Sequence, residues 1–161
     1  MRRSREKYGE LCYESSYNLG DEVQSMAARR FLPQVDYLVD RDLANITPLG
    51  KKDENAEGKI KVIYNGWFDG HYTKFPPPAT IHPLFVSFHI NEVDHGEDSM
   101  YDILKEQKQV LRPIASNVEY LRKHEPIGCR DYHTVEKLTK KGIKAYFSGC
   151  LTLTLKKRFG P

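Results

Sequence analysis

Arg130 and Asp131 stand where an apolar beat, Pro126-Ile127-Gly128-Cys129, gives way to a helical pattern. A guanidinium in that place offers a planar fork of donors matched to oxyanions or sugar hydroxyls. It serves equally in a structural ion pair with Asp131 or another carboxylate. His89 stands at the end of the apolar run LFVSFHI. An imidazole leaving a buried strand can act as general acid or base near neutral pH, or rest as a satisfied rim residue. Asn18, Gly20 and Asp21 belong to a polar loop ahead of another helical pattern, where nucleotide-binding folds cradle phosphate, but the glycine triplet of a dinucleotide site is missing. That loop either caps its own helix or touches a ligand. Asn65 and Trp67, the latter the only tryptophan, follow an apolar run from Ile60 to Tyr64. A flat indole stacks on a sugar face or fills the rim of a core. The catalytic candidates are thus His89 and Arg130; the binding candidates are Asn18, Gly20, Asp21, Asn65, Trp67 and Asp131.

The elements that must hold these residues are legible in the apolar spacing. Residues 125–155 read as strand, turn, helix, turn and strand, with Asp131 as N-cap, Tyr132, Val135 and Leu138 on one helical face, and Gly142 as the stop after Lys140 and Lys141. The glycine-flanked run Ile143 to Phe147 reads as a strand, completing a βαβ crossover in a parallel sheet. Near the start, Gly9 to Tyr13 predicts a strand. Asp21 and Gln24 have capping-box spacing before Val23, Met26, Ala27 and Phe31, Pro33 ends that helix, and Val35 to Val39 predicts the next strand. Residues 41 to 59 read as a solvated connection, Ile60 to Tyr64 as a strand, His71 to Pro83 as a loop stiffened by three prolines, and Leu84 to Ile90 as a strand buried on both faces. Met100, Ile103, Leu104, Gln107 and Leu111 predict a helix, and Ser116 with Glu119 forms a second capping box before Val118 and Leu121.

This alternation predicts an α/β fold, a Rossmann-like three-layer α/β/α arrangement around a mainly parallel sheet. Leu11, Val35, Leu38, Ile60, Val62, Leu84, Val86, Phe88, Ile127, Ala145 and Phe147 are its expected core. Open sheets of this class gather ligands at the C-terminal ends of their strands. Gly20, Asp21, Asn65, Trp67, His89 and Arg130 are therefore expected along one sheet edge.

Taken in order, NLGDEVQSMAARRFLPQVDYLVDRD, VIYNGWF, LFVSFHI and IGCRDYHTVEKLTKKGIKAYFSGCLTLTL resemble the polysaccharide pyruvyl transferase family over about residues 8 to 155. The resemblance implies a fold of two Rossmann-like halves like those of sugar-nucleotide glycosyltransferases, and transfer of the enolpyruvyl unit of phosphoenolpyruvate to sugar hydroxyls as a ketal in surface polysaccharide or glycan biosynthesis. The matching motifs are those of the first, acceptor-side half. The implied organisation is a basic tail at 1–8, a Rossmann-like domain at 9–155, and a tail or the start of an interdomain connection at 156–161. A saccharide acceptor, a phosphoenolpyruvate donor, and a second domain or a second copy of the chain are the implied partners; no cofactor is expected. Because the first loop of the family faces the interdomain cleft, Asn18, Gly20 and Asp21 are implied acceptor contacts. The other reading is a non-catalytic Rossmann-like module for carbohydrate binding or assembly.

Composition narrows the alternatives. A chain of 161 residues, 39% hydrophobic and 29% charged, has the balance of a single folded domain rather than of a disordered one. No run approaches the roughly 18 apolar residues of a membrane span, and MRRSREK is not followed by a signal-like apolar core, so a cytoplasmic address is expected. Basic residues cluster from Lys137 onward, but the net charge is only +3 and no aromatic interleaving accompanies them, so nucleic acid is not an expected partner. Cys12, Cys129 and Cys150 are odd in number, lie in or beside strands and lack metal-ligand spacing, which predicts free thiols and no metal.

Overall fold

A central strand needs room on both flanks, and Gly9 supplies it: a methyl group there would come within 3.0 Å of the Cγ2 atoms of Ile60, Val39 and Val62. The computed structural model describes residues 5–14, 16–50, 59–68, 73–91 and 116–156. Within them, β1 (Lys7–Cys12) lies between β2 (Tyr37–Asp40) and β4 (Ile60–Phe68), parallel to both. β3 (Ile46–Pro48) turns back antiparallel on β2. From β4 the sheet grows outward through β5 (Ile81–Ile90), β6 (Ile127–Cys129) and β7 (Ala145–Phe147), all parallel. The order β3-β2-β1-β4-β5-β6-β7 makes a seven-stranded, mostly parallel sheet, so the fold is α/β. Because the chain leaves β1 on one side and returns on the other, the order reverses between β1 and β4, where such sheets open a crevice at their carboxyl ends.

Among the described residues three helices accompany the sheet. α1 (Leu19–Arg29) packs on β1 and β4 with a small and polar face, Asp21, Gln24, Ser25, Ala27 and Ala28, and Ser25 Oγ donates 2.5 Å to the Leu11 carbonyl. α2 (Val118–Arg122) contributes Leu121 to the core. α3 (Tyr132–Lys140) begins at the Asp131 cap as expected, with the Thr134 N–H donating to Asp131 Oδ1 at 2.8 Å. It ends in a Schellman turn: Gly142 N–H bonds the Thr139 carbonyl, Ile143 N–H bonds the Leu138 carbonyl, and Leu138 and Ile143 are both buried. Gly142 has φ +72°, the left-handed conformation this turn requires. A 3₁₀ turn, Leu151–Thr154, then docks on α1, with Arg30 Nη1 donating to the Thr154 carbonyl at 2.6 Å.

Several elements depart from the sequence expectation. β1 starts at Lys7, inside the expected tail, because Lys7 and Tyr8 pair with Ile60 and Lys61. β3 lies in what read as connection, and the α1 cap is Asn18, not Asp21. β4 continues to Phe68 through a bulge between Tyr64 and Gly66, so Asn65 and Trp67 are strand residues. β5 starts at Ile81 and contains Pro83; among the described residues β6 meets β5 only at Phe88 and Cys129, so the first half of β5 has a free flank where a missing N–H breaks no ladder bond. Leu84 and Phe147, expected in the core, are exposed: β5 alternates around Leu84, and Phe147 lies on the outermost strand, stacked on Tyr132 with centroids 4.5 Å apart. Val35, Leu38, Val86 and Ala145 are only partly buried. Asn117, not Ser116, takes the N-cap position of α2. The helix expected over 100–111 falls outside the described residues. No helix among the described residues is long and apolar enough to cross a membrane.

Candidate functional site

A cleft of about 960 Å³ opens at the C-terminal ends of the strands, over the reversal between β1 and β4. The loop after β1 gives Ser16 and Asn18, and α1 gives Gly20, Asp21 and Gln24. Arg41 and Asp42 come from the end of β2, Trp67 from β4, Arg130 from the end of β6, and Cys150 and Thr152 from the segment after β7.

One hydrogen-bonded chain runs along its wall. Ser16 Oγ donates to Asp21 Oδ2 at 2.5 Å, Gln24 Nε2 donates to Asp21 Oδ1 at 3.2 Å, and Arg130 Nη1 donates to Gln24 Oε1 at 3.2 Å. The chemistry fixes the amide: a carboxylate can only accept and a guanidinium can only donate, so Gln24 must turn its nitrogen to Asp21 and its oxygen to Arg130. Arg130 Cζ lies 6.0 Å from the centroid of the Trp67 ring, at the outer reach of a cation–π contact. Among the described residues no carboxylate pairs with Arg130. The structural ion pair with Asp131 is not formed, because Asp131 is turned to His89 Nδ1 and to the start of α3.

Arg41 differs. Its Nε and Nη2 each donate 2.9 Å to the two oxygens of Asp42, its Nη1 lies 3.8 Å from Asp21, and its Cζ sits 4.7 Å from the Tyr13 ring centroid. Burial works against its charge, but Asp42 and Asp21 outweigh that and hold it cationic. Arg41 is thus a fixed part of the wall.

Of the residues singled out in the sequence, Asn18, Gly20, Asp21, Trp67 and Arg130 line the cleft together. Asn65 does not. It is fully buried, its Nδ2 donates to the Gln24 carbonyl at 3.0 Å, its own carbonyl accepts from the Tyr13 hydroxyl at 3.3 Å, and Oδ1 has no hydrogen-bond partner among the described residues. The strand runs on past Tyr64, so residue 65 faces α1 instead of solvent. His89 and Asp131 flank the cleft without lining it, the His89 ring lying 4.7 Å from Trp67. Gln24, Arg41, Asp42 and Cys150 were missed. The signal for two of them is a repeat: Arg41-Asp42 follows β2 as Arg130-Asp131 follows β6.

The three cysteines are free, and their settings differ. Burial, aided by Asp40, pushes the Cys12 thiol up to about 11, and burial aided by Asp131 pushes Cys129 up to about 12. Burial also acts on Cys150, but the Thr152 hydroxyl and N–H, the Arg130 charge and the Ser87 hydroxyl outweigh it and bring that thiol below its ordinary value. At pH 8 Cys150 should therefore carry the largest thiolate fraction of the three, and the weaker nucleophilicity of a low-pKa thiolate offsets only part of that advantage. Iodoacetamide at limiting dose should label Cys150 faster than Cys12 or Cys129, read by peptide mass mapping. Equal labelling would refute the arrangement of donors around its sulfur. Comparison with known proteins adds no template, since no family model, no curated protein and no solved structure matches the chain.

Proposed function

We propose that this cleft is the saccharide-acceptor site of a polysaccharide pyruvyl transferase-like protein, with the described sheet as the acceptor-side, Rossmann-like half of a three-layer α/β/α kind. The observation that carries the reading is the composition of the wall: a half-exposed indole, Trp67, beside Arg130, Asp21, Asp42 and the Asn18 amide in one open crevice. An aromatic face bordered by fixed donors and acceptors is what a sugar ring needs, apolar C–H patches against the ring and hydroxyls toward the polar groups.

The same wall is poorly made for phosphate. The first turn of α1 carries Asp21 and Glu22, and its Gly20 N–H is taken by Asn18 Oδ1 at 2.9 Å, so the positive end of that helix is already met by carboxylates and a cap. Arg41 is spent on Asp42 and Asp21. Of the two cations among the described residues lining the cleft, Arg130 alone is left without a carboxylate partner. These features favour a polyhydroxylated acceptor over the enol phosphate on this wall. In the proposed transfer a proton is added to the methylene carbon of phosphoenolpyruvate, a sugar hydroxyl attacks the resulting oxocarbenium-like carbon, phosphate leaves, and a second hydroxyl closes the ketal. The role of the wall is to fix the plane and the hydroxyls of the acceptor before that attack.

An open, single-walled cleft should bind weakly, with dissociation constants of about a millimolar, near 4 kcal/mol. Calorimetry or ligand-observed NMR with galactose, mannose and N-acetylhexosamine derivatives is expected to detect it. Trp67→Ala and Arg130→Ala should each weaken it at least about fivefold, or roughly 1 kcal/mol, with far-UV circular dichroism unchanged. The acceptor-side half is expected to bind without releasing phosphate from phosphoenolpyruvate; robust phosphate release with one of these sugars would overturn the half-site reading and establish a self-sufficient enzyme. Absence of binding to every sugar would remove the saccharide reading.

A further inference from the structure

Asp131 joins two elements at the corner where Trp67 borders the cleft. Its Oδ1 caps α3 through the Thr134 N–H, its Oδ2 takes His89 Nδ1, and the Thr134 hydroxyl stands 3.3 Å from Oδ2. Burial opposes the charge of this carboxyl, but the Thr134 N–H and the imidazole outweigh it and hold the group below the usual carboxylate range. An ionised carboxylate only accepts, so in its neutral form the imidazole keeps its proton on Nδ1 and leaves the lone pair on Nε2. The remaining neighbour of Nδ1, Thr134 Oγ1 at 3.4 Å, is itself held by the Ile90 N–H and Asp131, which locks the ring from one side. No described residue bonds Nε2. The imidazole is not sealed in: its side chain keeps 16% of its exposure, and its ring packs 4.7 Å from Trp67.

Tying β5 to α3 would occupy Nδ1 alone. It would not require a ring whose Nε2 meets no described partner beside Trp67, the one aromatic side chain among the described residues lining the cleft. We propose that His89, with its tautomer set by Asp131, accepts through Nε2 a hydrogen bond from a hydroxyl of a saccharide stacked on Trp67, and so determines which acceptors fit. The inference rests on the saccharide reading of the cleft and names the hydroxyl acceptor within it. Asp131 acts in this as a positioning residue.

The test separates the two nitrogens. In His89→Asn the side-chain amide can still donate to Asp131 but has nothing in the place of Nε2. This variant should unfold at nearly the wild-type denaturant concentration and bind methyl galactoside, methyl mannoside or N-acetylglucosamine, whichever the wild type binds best, about tenfold more weakly. In parallel, long-range proton–nitrogen NMR of the wild-type protein should show the Nδ1–H tautomer, and saturation with that sugar should move the Nε2 resonance far more than Nδ1. Wild-type affinity in His89→Asn, or an unmoved Nε2 at a saturation that Trp67 fluorescence reports, overturns the assignment and leaves the saccharide site standing. If the wild type binds none of these sugars, the site reading fails and this inference goes with it. The wild-type NMR measurement decides the question even where the variant does not fold.

Discussion

Phe68→Ala is expected to cost about 3–5 kcal/mol, the range for emptying a fully buried aromatic position. Phe68 has no exposed surface, and its ring lies 5.4 Å from Tyr64 and 4.8 Å from Phe88, inside a cluster that continues through Phe85 and Phe75. The neighbours come from β4, β5 and the segment between them, so the hole cannot be closed by sliding one element. Domains of this size hold only about 5–15 kcal/mol in total, and the variant should lose about a fifth or more of its stability. Leu84→Ala is the matched control. Leu84 is 61% exposed on the neighbouring strand, and its loss should cost well under about 1 kcal/mol. Urea unfolding followed by circular dichroism measures both, and equal costs would contradict the packing described for β4 and β5.

Gly66→Ala is expected to remove both stability and the cleft, although residue 66 lines no part of the cleft surface. Its φ is +100°, a region that side chains strain to occupy, and a Cβ would stand 2.5 Å from the Tyr13 hydroxyl and 3.2 Å from Gln24 Oε1. Tyr13 underlies Arg41, and Gln24 links Asp21 to Arg130. A single methyl therefore pushes on both supports of the wall. Backbone strain and the clash together should cost about 2–4 kcal/mol, with a change in Trp67 fluorescence and loss of saccharide binding. Gly50 separates the two contributions, since its φ is also +100° but no described residue lies within 4 Å of a Cβ there. Gly50→Ala should carry the strain alone, about 1 kcal/mol. If both alanine variants unfold at the same urea concentration, the contact with Tyr13 and Gln24 does not matter.

The sequence is read correctly where one physical signal decides. Asp131, the Leu138 face and Gly142 define α3 locally, through a cap, a stripe and a left-handed stop, and α3 has those ends. Signals that depend on a distant partner mislead. Asn65-Gly66 resembles a turn because those residue types favour turns, but with β5 alongside, the same pair forms a bulge that carries the strand on to Phe68. Pro83 argues against a strand until it is known that no described strand pairs with the first half of β5 on the side away from β4. Arg41 and Asp42 look like solvated charge because their mutual pairing and the Tyr13 ring beneath them come from the fold and not from local pattern. The site was visible as strand ends; what joins those ends is Gln24, whose two-way amide has no sequence signature.

The place of β1 bears on how the chain is made. It is the first of the described strands to be synthesised and lies inside the sheet, with both neighbours downstream: Gly9 waits for Tyr37 on one side and for Val62 on the other. At about 5–20 residues per second, a ribosome leaves one edge of that strand open for several seconds after its residues emerge. Pairing across such a span is slow for entropic reasons as well. The glycine that admits β1 between its neighbours also weakens it as an isolated strand, which lowers the chance that the waiting edge is captured by another nascent chain.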